Sequence, residues 1–368
     1  MCMFEKINTS YNDLPTQKTL IIYHKEDNDG VFSGALMYNY LMKSLHTPKE
    51  DIVLLGTEYN SLAEFSKDNE PEDLHKYLKR IIIVDLSFND YKYMKSLWKE
   101  FGTDFIWCDH HAPIIKTSKE QHFDDIVGIR DITRSAILNV WKYLYDQFDE
   151  AYNKKKVPEL LRILSAWDSW TFEKEKIDDE YARQVNKAVT YEYNLEMSKV
   201  LPLVEDIVNC YVNKDGSLSS VFKEKPLIKQ LQKTGKLLCD YEDKTFEDIV
   251  KNVGDCSWKI MLDSIGDNKT WRPACAIFHQ GATNSKMFNS LRQSNPDIMN
   301  AIVFKHAKNG NWTISLYNVR ECDEKDWFGR FHCGQFMKEH YKGGGHPGAA
   351  GCTITQEQFI KILKKKEL

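Results

Sequence analysis

Three short apolar runs mark the first third of the chain. Residues 19–23 (TLIIY), 80–84 (RIIIV) and 105–108 (FIWC) show no polar alternation, and acidic or histidine residues follow each. Runs that are apolar on both faces suit strands inside a parallel sheet that is covered above and below. Helix-like segments lie between or beside them at 34–44 (GALMYNYLMKS), 71–79 and 91–100. Strand, then helix, then strand predicts an α/β domain. Residues 134–169 read as helical, with Ile137, Val140, Trp141 and Leu144 on one face. Residues 191–238 read as helical too, with a polar break at 213–217 (NKDGS). Strand-like text returns at 274–278, 301–304 and 312–316, followed by a Gly-rich loop at 343–351 (GGGHPGAAG) and a short helix that ends in lysines. The expected organisation is a first domain over 1–200, a helical connector over 201–240 and a smaller α/β domain over 241–368. A chain of 368 residues is long enough for two cores.

Composition narrows the classes. Hydrophobic residues at 42% and charged residues at 28% are ordinary for a globular protein. The formal net charge of −4 gives no broad basic field, so long duplex DNA is not the expected partner. The nine cysteines are odd in number and form no C-x-x-C pair, which reads as reduced thiols in a cytoplasmic protein. The first fifteen residues lack the apolar core of a signal peptide. No run approaches the ~20 apolar residues that span a bilayer, so no membrane partner is expected.

The chemistry gathers in four clusters. They are His24, Asp27 and Asp29 with Gly30 (HKEDNDG), Asp85 after IIIV, Asp109, His110 and His111 after FIWC, and Asp168 (AWDSW). The first three follow predicted strands, and ligands of open α/β sheets collect outside the carboxyl ends of the strands. Carboxylates mixed with imidazoles suit manganese, iron or zinc more than calcium. Several carboxylates on one edge repel each other, and a pair of divalent cations would cancel that repulsion and activate water against phosphorus. Each cluster also has a plain structural reading. A strand-terminal Asp such as Asp85 is often a helix N-cap, and Asp168 fits a cap near Ser165. DNDG is a common turn sequence. A calcium loop is excluded because residues 37–40 hold no glutamate. The glycines at 343–345 permit close backbone approach, either to a ligand or within a tight loop.

Taken in this order, the clusters resemble the motifs of the DHH phosphoesterase superfamily. The segment GGGHPGAAGC at 343–352 is similar to the signature of its DHH-associated C-terminal domain. The metal motifs span about 20–170 and the second signature about 310–352. Within the superfamily the chain looks most similar to nanoRNase-like and oligoribonuclease-like members, and SLYN at 315–318 resembles their pattern. The resemblance implies a parallel-sheet catalytic domain, a smaller C-terminal substrate-binding domain and an active site in the cleft between them. It implies His24 and Asp27 on one metal ion, Asp29, His110 and Asp168 on a second, and Asp85 bridging both. Asp109 would orient His110, and His111 would face the scissile phosphate. His346 and the backbone of Gly343, Gly344 and Gly345 would hold substrate, with Arg320 or Lys342 adding charge. The spacing of His24 from Asp27 varies in the superfamily, and Asn318 stands where relatives often carry serine.

The implied activity is hydrolysis of short oligonucleotides or dinucleotides to mononucleotides by a hydroxide bridging two divalent ions, with Mn2+ the expected metal. A homodimer is a compatible assembly. Cleavage of cyclic dinucleotides and removal of the 3′-phosphate from pAp are alternatives within the same chemistry. A rival of another class is a nucleotide sensor that has lost catalysis, whose signature would be missing ligands. Every expected ligand position is filled here. A pyrophosphatase is disfavoured by the Gly-rich signature.

Overall fold

A computed structural model describes residues 18–58, 65–70, 77–88, 90–111, 115–116, 119–120, 123, 125–145, 157–209, 224–253, 255–265, 268–281, 283, 285–288, 291, 295, 297–307, 309–319, 331–345 and 348–368. The chain falls into two compact units, Met1–Cys239 and Asp240–Leu368.

The first unit is built on four parallel strands, β1 (Lys18–His24), β2 (Ile52–Thr57), β3 (Leu78–Val84) and β4 (Phe105–Cys108), in the order β2-β1-β3-β4. The side chains of β1, β3 and β4 alternate between two cores. Ile21, Tyr23, Ile82, Val84, Ile106 and Cys108 enter one, and Leu20, Ile22, Ile81, Ile83, Phe105 and Trp107 enter the other. Both faces are therefore covered, which is why these strands read as unbroken apolar runs. Burial of each isoleucine or leucine contributes roughly 2 kcal/mol, so the strand ends are held by a deep apolar anchor.

One face carries most of the helices. They are α1 (Asn28–Lys43), α3 (Ala136–Tyr145), α4 (Glu159–Ser169), the single turn α5 (Phe172–Glu175), α6 (Asp179–Tyr193) and α7 (Met197–Asn209). The other face receives α2 (Tyr91–Phe101), which buries Tyr93, Met94 and Leu97. Asp90 starts α2 by accepting from the amides of Lys92 and Tyr93, and Gly102 ends it at φ 57°. Chain order reverses between β1 and β3, so a crevice opens at their carboxyl ends, where ligands collect in such sheets.

Several sequence expectations shift. Strand β2 was not expected. It sits at the sheet edge and is only partly buried, so its apolar run is short and ends in Gly-Thr. The expected helix at 71–79 does not reach its end, because Leu78 and Lys79 already belong to β3; residues 71–76 lie outside the described residues. The single helical stretch at 134–169 becomes α3 and α4, with 146–156 outside the described residues. Residues 201–209 do not stand apart as a connector. They form most of α7, whose Val200, Leu203, Val204 and Ile207 fill the first core. The long helix α8 (Glu224–Val253) runs past the boundary between units, starting with Ile228 and Leu231 in the first core.

The second unit holds a six-stranded sheet of order β5-β6-β7-β8-β10-β9, with β5 (Asp255–Ile265), β6 (Asn268–Phe278), β7 (Asn300–His306), β8 (Trp312–Asn318), β9 (Gly344–Gly345) and β10 (Ala349–Ile354). Among the described strands of this sheet, β6 and β7 pair in parallel and the other neighbours pair antiparallel. Helices α9 (Cys333–Tyr341) and α10 (Gln356–Lys365) supply Phe336, Met337, Phe359 and Ile362 to one of its cores. The expected Gly-rich loop is largely sheet: Gly344 and Gly345 pair with Gly351 and Ala350. A Cβ on Gly345, at φ 141°, would lie 2.6 Å from the Cα of Ala350, and one on Gly343 would lie 2.3 Å from the carbonyl oxygen of Gly351. Strand packing thus accounts for glycine at these two positions, whereas Gly344 has open space where a Cβ would stand. Among the described residues, no helix is long and apolar enough to cross a membrane.

Gly345→Ala is expected to destabilise the second unit by about 2–3 kcal/mol through overpacking and a forbidden φ, and Gly344→Ala by no more than ~0.5 kcal/mol. Urea unfolding followed by circular dichroism compares the two variants, and equal losses would refute the assignment.

Candidate active site

The site grows from the ends of three strands, the start of one helix and the last turn of another. His24 closes β1 and is buried. The chain then turns into α1, whose N-cap is Asp27: Oδ1 accepts from the amide of Gly30 at 2.9 Å. Oδ2 lies 3.4 Å from His24 Nε2. Gly30 is required here, since a Cβ would stand 2.1 Å from the His24 carbonyl oxygen. The DNDG turn is therefore real, and it aims carboxylates inward while capping a helix.

Asp29, in the first turn of α1, is buried at 2% exposure. Its carboxylate reaches across to the start of α3, with Oδ2 accepting from Ala136 N at 2.8 Å and Oδ1 from Ile137 N at 2.9 Å. A helix N-terminus favours such an anion. Asp85 follows β3 with a left-handed backbone (φ 60°), and its amide donates to the Cys108 carbonyl at 2.9 Å. It caps no helix, because α2 begins after Asp90. A non-glycine residue in this conformation costs of order 1–3 kcal/mol and is typical of functional positions. Asp168 lies in the last turn of α4, so the expected alternative of an N-cap near Ser165 does not hold.

These carboxylates meet at His110. Its Nε2 lies 3.3 Å from Asp85 Oδ1, 3.3 Å from Asp168 Oδ2 and 3.5 Å from Asp29 Oδ2. Two overlapping triplets result, Asp29–His110–Asp168 and Asp85–His110–His111. His24 and Asp27 face one another, and among the described residues no third ligand atom completes a triplet around them. The ring held by Asp109 is that of His111, not His110 as the resemblance implied: His111 Nδ1 is 2.8 Å from Asp109 Oδ1. The same oxygen accepts from the amide of His110 at 2.7 Å, so Asp109 sets the position of both histidines but the ring of only one. The geometry follows from the chain, because a side chain at 109 reaches the residue two positions ahead on the turn leaving β4.

The electrostatics are those of crowded anions. The Asp85 carboxyl is held well above the ordinary carboxylate range, first by burial and then by Asp29, Asp27, Asp168 and Asp109. Asp168 is raised well above it by desolvation, then by Asp29 and Asp27. For Asp109 burial pushes upward, but His111 and His110 outweigh it and hold the carboxyl low. For His111 burial pushes downward, and Asp109, Asp29 and Asp27 overcome it and raise the imidazole. His110 is lowered, chiefly by burial.

This donor set fits a divalent cation. One imidazole nitrogen carries at most one proton and cannot satisfy three carboxylates, and among the described residues the buried Oδ2 of Asp168 accepts no hydrogen bond. Oxygen and nitrogen ligands together suit a first-row transition metal.

Three positioning features were not found in the sequence. Asn28 donates to Asn186 Oδ1 at 2.8 Å and Thr190 Oγ1 at 2.9 Å, tying the first motif to α6. Asn139 donates to the carbonyls of Asp109 and Asp131, both at 3.0 Å. Arg130 donates to the carbonyls of Trp107 and Ile126 and lies over the Trp107 ring. Asn28 was visible inside the DNDG motif; for Asn139 and Arg130 the sequence carried no signal, since their partners are backbone carbonyls. The expected substrate residues Arg320 and His346 lie outside the described residues. Lys342 is the exposed C-cap of α9, and Gly343, Gly344 and Gly345 follow it into β9.

The DHH family, N-terminal domain, matches residues 18–166, the stretch that carries the carboxylates and histidines at the strand ends. This places the N-terminal unit in the DHH phosphoesterase superfamily. The class defined is a metal-dependent hydrolase acting on phosphate esters. No curated protein sequence matches the chain. Among solved structures, the chain is similar to a pGpG-specific phosphodiesterase, PggH, from Vibrio cholerae, at 15% identity and a TM-score of 0.43 over 95% of this chain and 97% of that one. Exonuclease RecJ bound to manganese shows 13% identity and a TM-score of 0.41 over 100% and 93%. An uncharacterized protein from Helicobacter pylori G27 shows 15% identity and a TM-score of 0.33 over 95% and 99%.

Raised carboxyls bind protons in competition with metal. Metal-free, the fold is favoured while Asp85 and Asp168 are protonated and loses that stability as pH rises through their raised folded values. Mn2+ affinity is therefore expected to rise with pH as these raised carboxyls ionise, with protons released on binding. Calorimetry in buffers of different ionisation heat measures both, and binding without proton release would contradict the site.

Proposed function

We propose that the chain is a phosphodiesterase that hydrolyses short oligonucleotides or dinucleotides to mononucleotides, working with two divalent cations, Mn2+ foremost. The observation that carries this reading is the convergence of Asp29, Asp85 and Asp168 on His110 Nε2 at the reversal point of a parallel sheet. Divalent cations bound there would lower the pKa of a water and neutralise charge developing at phosphorus.

The protein's own groups have distinct tasks. Asp29, Asp85, His110 and Asp168 would hold the cations, and His24 with Asp27 would extend the donor set at the end of β1. Asp109 turns the Nδ1 of His111 toward itself, so a phosphate oxygen would be met by Nε2. A raised imidazole beside a buried carboxylate suits that task, because a protonated ring attracts the anionic ester. The net charge of −4 supports a short substrate, since a long polyanion needs extended neutralisation by Lys and Arg. Lys342 and Gly344, exposed on the second unit, are proposed to contact nucleotide.

Two measurements test the reading. The first compares a 5′-phosphorylated dinucleotide, a long single-stranded oligonucleotide, a cyclic dinucleotide and pAp with Mn2+ present. The dinucleotide is expected to show a kcat/KM at least about ten-fold above the others; preference for the cyclic dinucleotide or pAp would transfer the assignment to that substrate. The second is Asp85→Asn. Turnover is expected to fall by about 10³-fold or more, while the metal-free protein melts at the same temperature or higher because a buried repelled charge has gone. Near-normal turnover would eliminate Asp85 as a ligand.

A further inference from the structure

Aromatic rings crowd the turn that carries Asp168. Trp167 and Trp170 stack with centroids 6.1 Å apart and planes 25° from parallel, and Trp170 meets Phe172 edge-on at 5.8 Å. Trp167 and Phe172 pack against the first core, but Trp170 is 61% exposed. It is also the C-cap of α4, in a left-handed backbone at φ 54°. Glycine or asparagine usually takes that position, because a Cβ is disfavoured there. An indole left mostly in water gains little burial in return, so folding gives it a weak reason to be there.

Its surroundings give a stronger one. Asp168, two residues earlier, places Oδ2 3.3 Å from His110 Nε2. On the other side, Lys174 of α5 donates to the Thr133 carbonyl at 2.9 Å. Thr133 lies three residues before Ala136, whose amide binds Asp29. Ile132, in the same turn, is 56% exposed. The aromatic stack is thus tied to the acidic cluster twice, through the chain to Asp168 and through Thr133 to the strip that holds Asp29.

We propose that Trp170, backed by Trp167, stacks on a nucleobase of the substrate whose phosphodiester lies at the Asp29–Asp85–Asp168 cluster. This rests on the nucleotide phosphodiesterase reading and adds a recognition element to it. The chemistry matches: an exposed indole two residues along the chain from Asp168 suits a flat heteroaromatic ring joined to a phosphate. Every base has a π-face, so such a platform accepts bases with little sequence preference. Trp offers the largest face of any side chain, and the partner ring of Trp167 holds it in place.

The test uses the full-length protein with Mn2+ and two substrates: 5′-phosphorylated diadenylate, and an analogue in which both bases are replaced by hydrogen. Trp170→Ala is expected to raise KM for diadenylate about ten-fold, with kcat within about two-fold of wild type. Trp170→Phe is expected to recover most of the loss. The base-free analogue is expected to give the same KM on wild type and Trp170→Ala. An unchanged KM for diadenylate in Trp170→Ala, with wild-type melting, overturns the stacking role and leaves the phosphodiesterase reading standing. Equal loss on both substrates overturns it too, as it marks a general disturbance of the turn. Failure of the wild-type protein to cleave either substrate overturns the parent reading and the stacking role together.

Discussion

The structure turns on a repulsion that the fold enforces. Asp29, Asp85 and Asp168 come from three separate elements, yet their oxygens lie within 3.5 Å of one imidazole nitrogen. Left to themselves, three carboxylates would separate. They are kept together because each is fixed by something stronger than its charge: Asp29 by two amides of α3, Asp85 by a strand buried on both faces, Asp168 by a helix packed into the same core. The apolar layers on either side of the sheet supply the rigidity. The cost shows in the raised carboxyls of Asp85 and Asp168, and a cation removes it.

Much of the first unit was legible in the sequence. The three runs 19–23, 80–84 and 105–108 became β1, β3 and β4 with small changes at their ends, because strands covered on both faces leave little room for polar residues. The placement of Asp85 and of 109–111 at strand ends followed directly. Other parts were hidden for physical reasons. β2 is an edge strand with mixed burial, and its pattern does not separate it from a loop. The Asp109–His111 pairing depends on how the chain turns after β4, which no spacing rule encodes. Asn139 acts on backbone carbonyls, so neither its type nor its position announces a partner.

In the second unit the runs 274–278, 301–304 and 312–316 lie inside β6, β7 and β8, and the glycines were the ambiguous signal. Gly343 to Gly345 suggested a ligand loop, but Gly343 and Gly345 are set against the backbone of β10, where any side chain would collide. A glycine run records close approach of something to the main chain without saying what approaches. Asn318, noted as a departure from the family pattern, has a structural occupation. Its side chain bonds Asn300 at 2.7 Å and the Phe331 carbonyl at 3.1 Å, and its amide bonds the Gly348 carbonyl at 2.8 Å. From the end of β8 it therefore ties together β7, Phe331 just ahead of α9 and Gly348 inside the Gly-rich stretch.

The bond from Asp29 to the first amides of α3 has a consequence for how such a domain can change over time. A carboxylate that also closes the open end of a helix is doubly employed, and deleting it loosens the scaffold as well as the chemistry. Asp85 and Asp168 carry no comparable duty toward a helix start. A lineage that abandoned hydrolysis and kept only the shape would shed those two early and retain Asp29 long after its original purpose had gone.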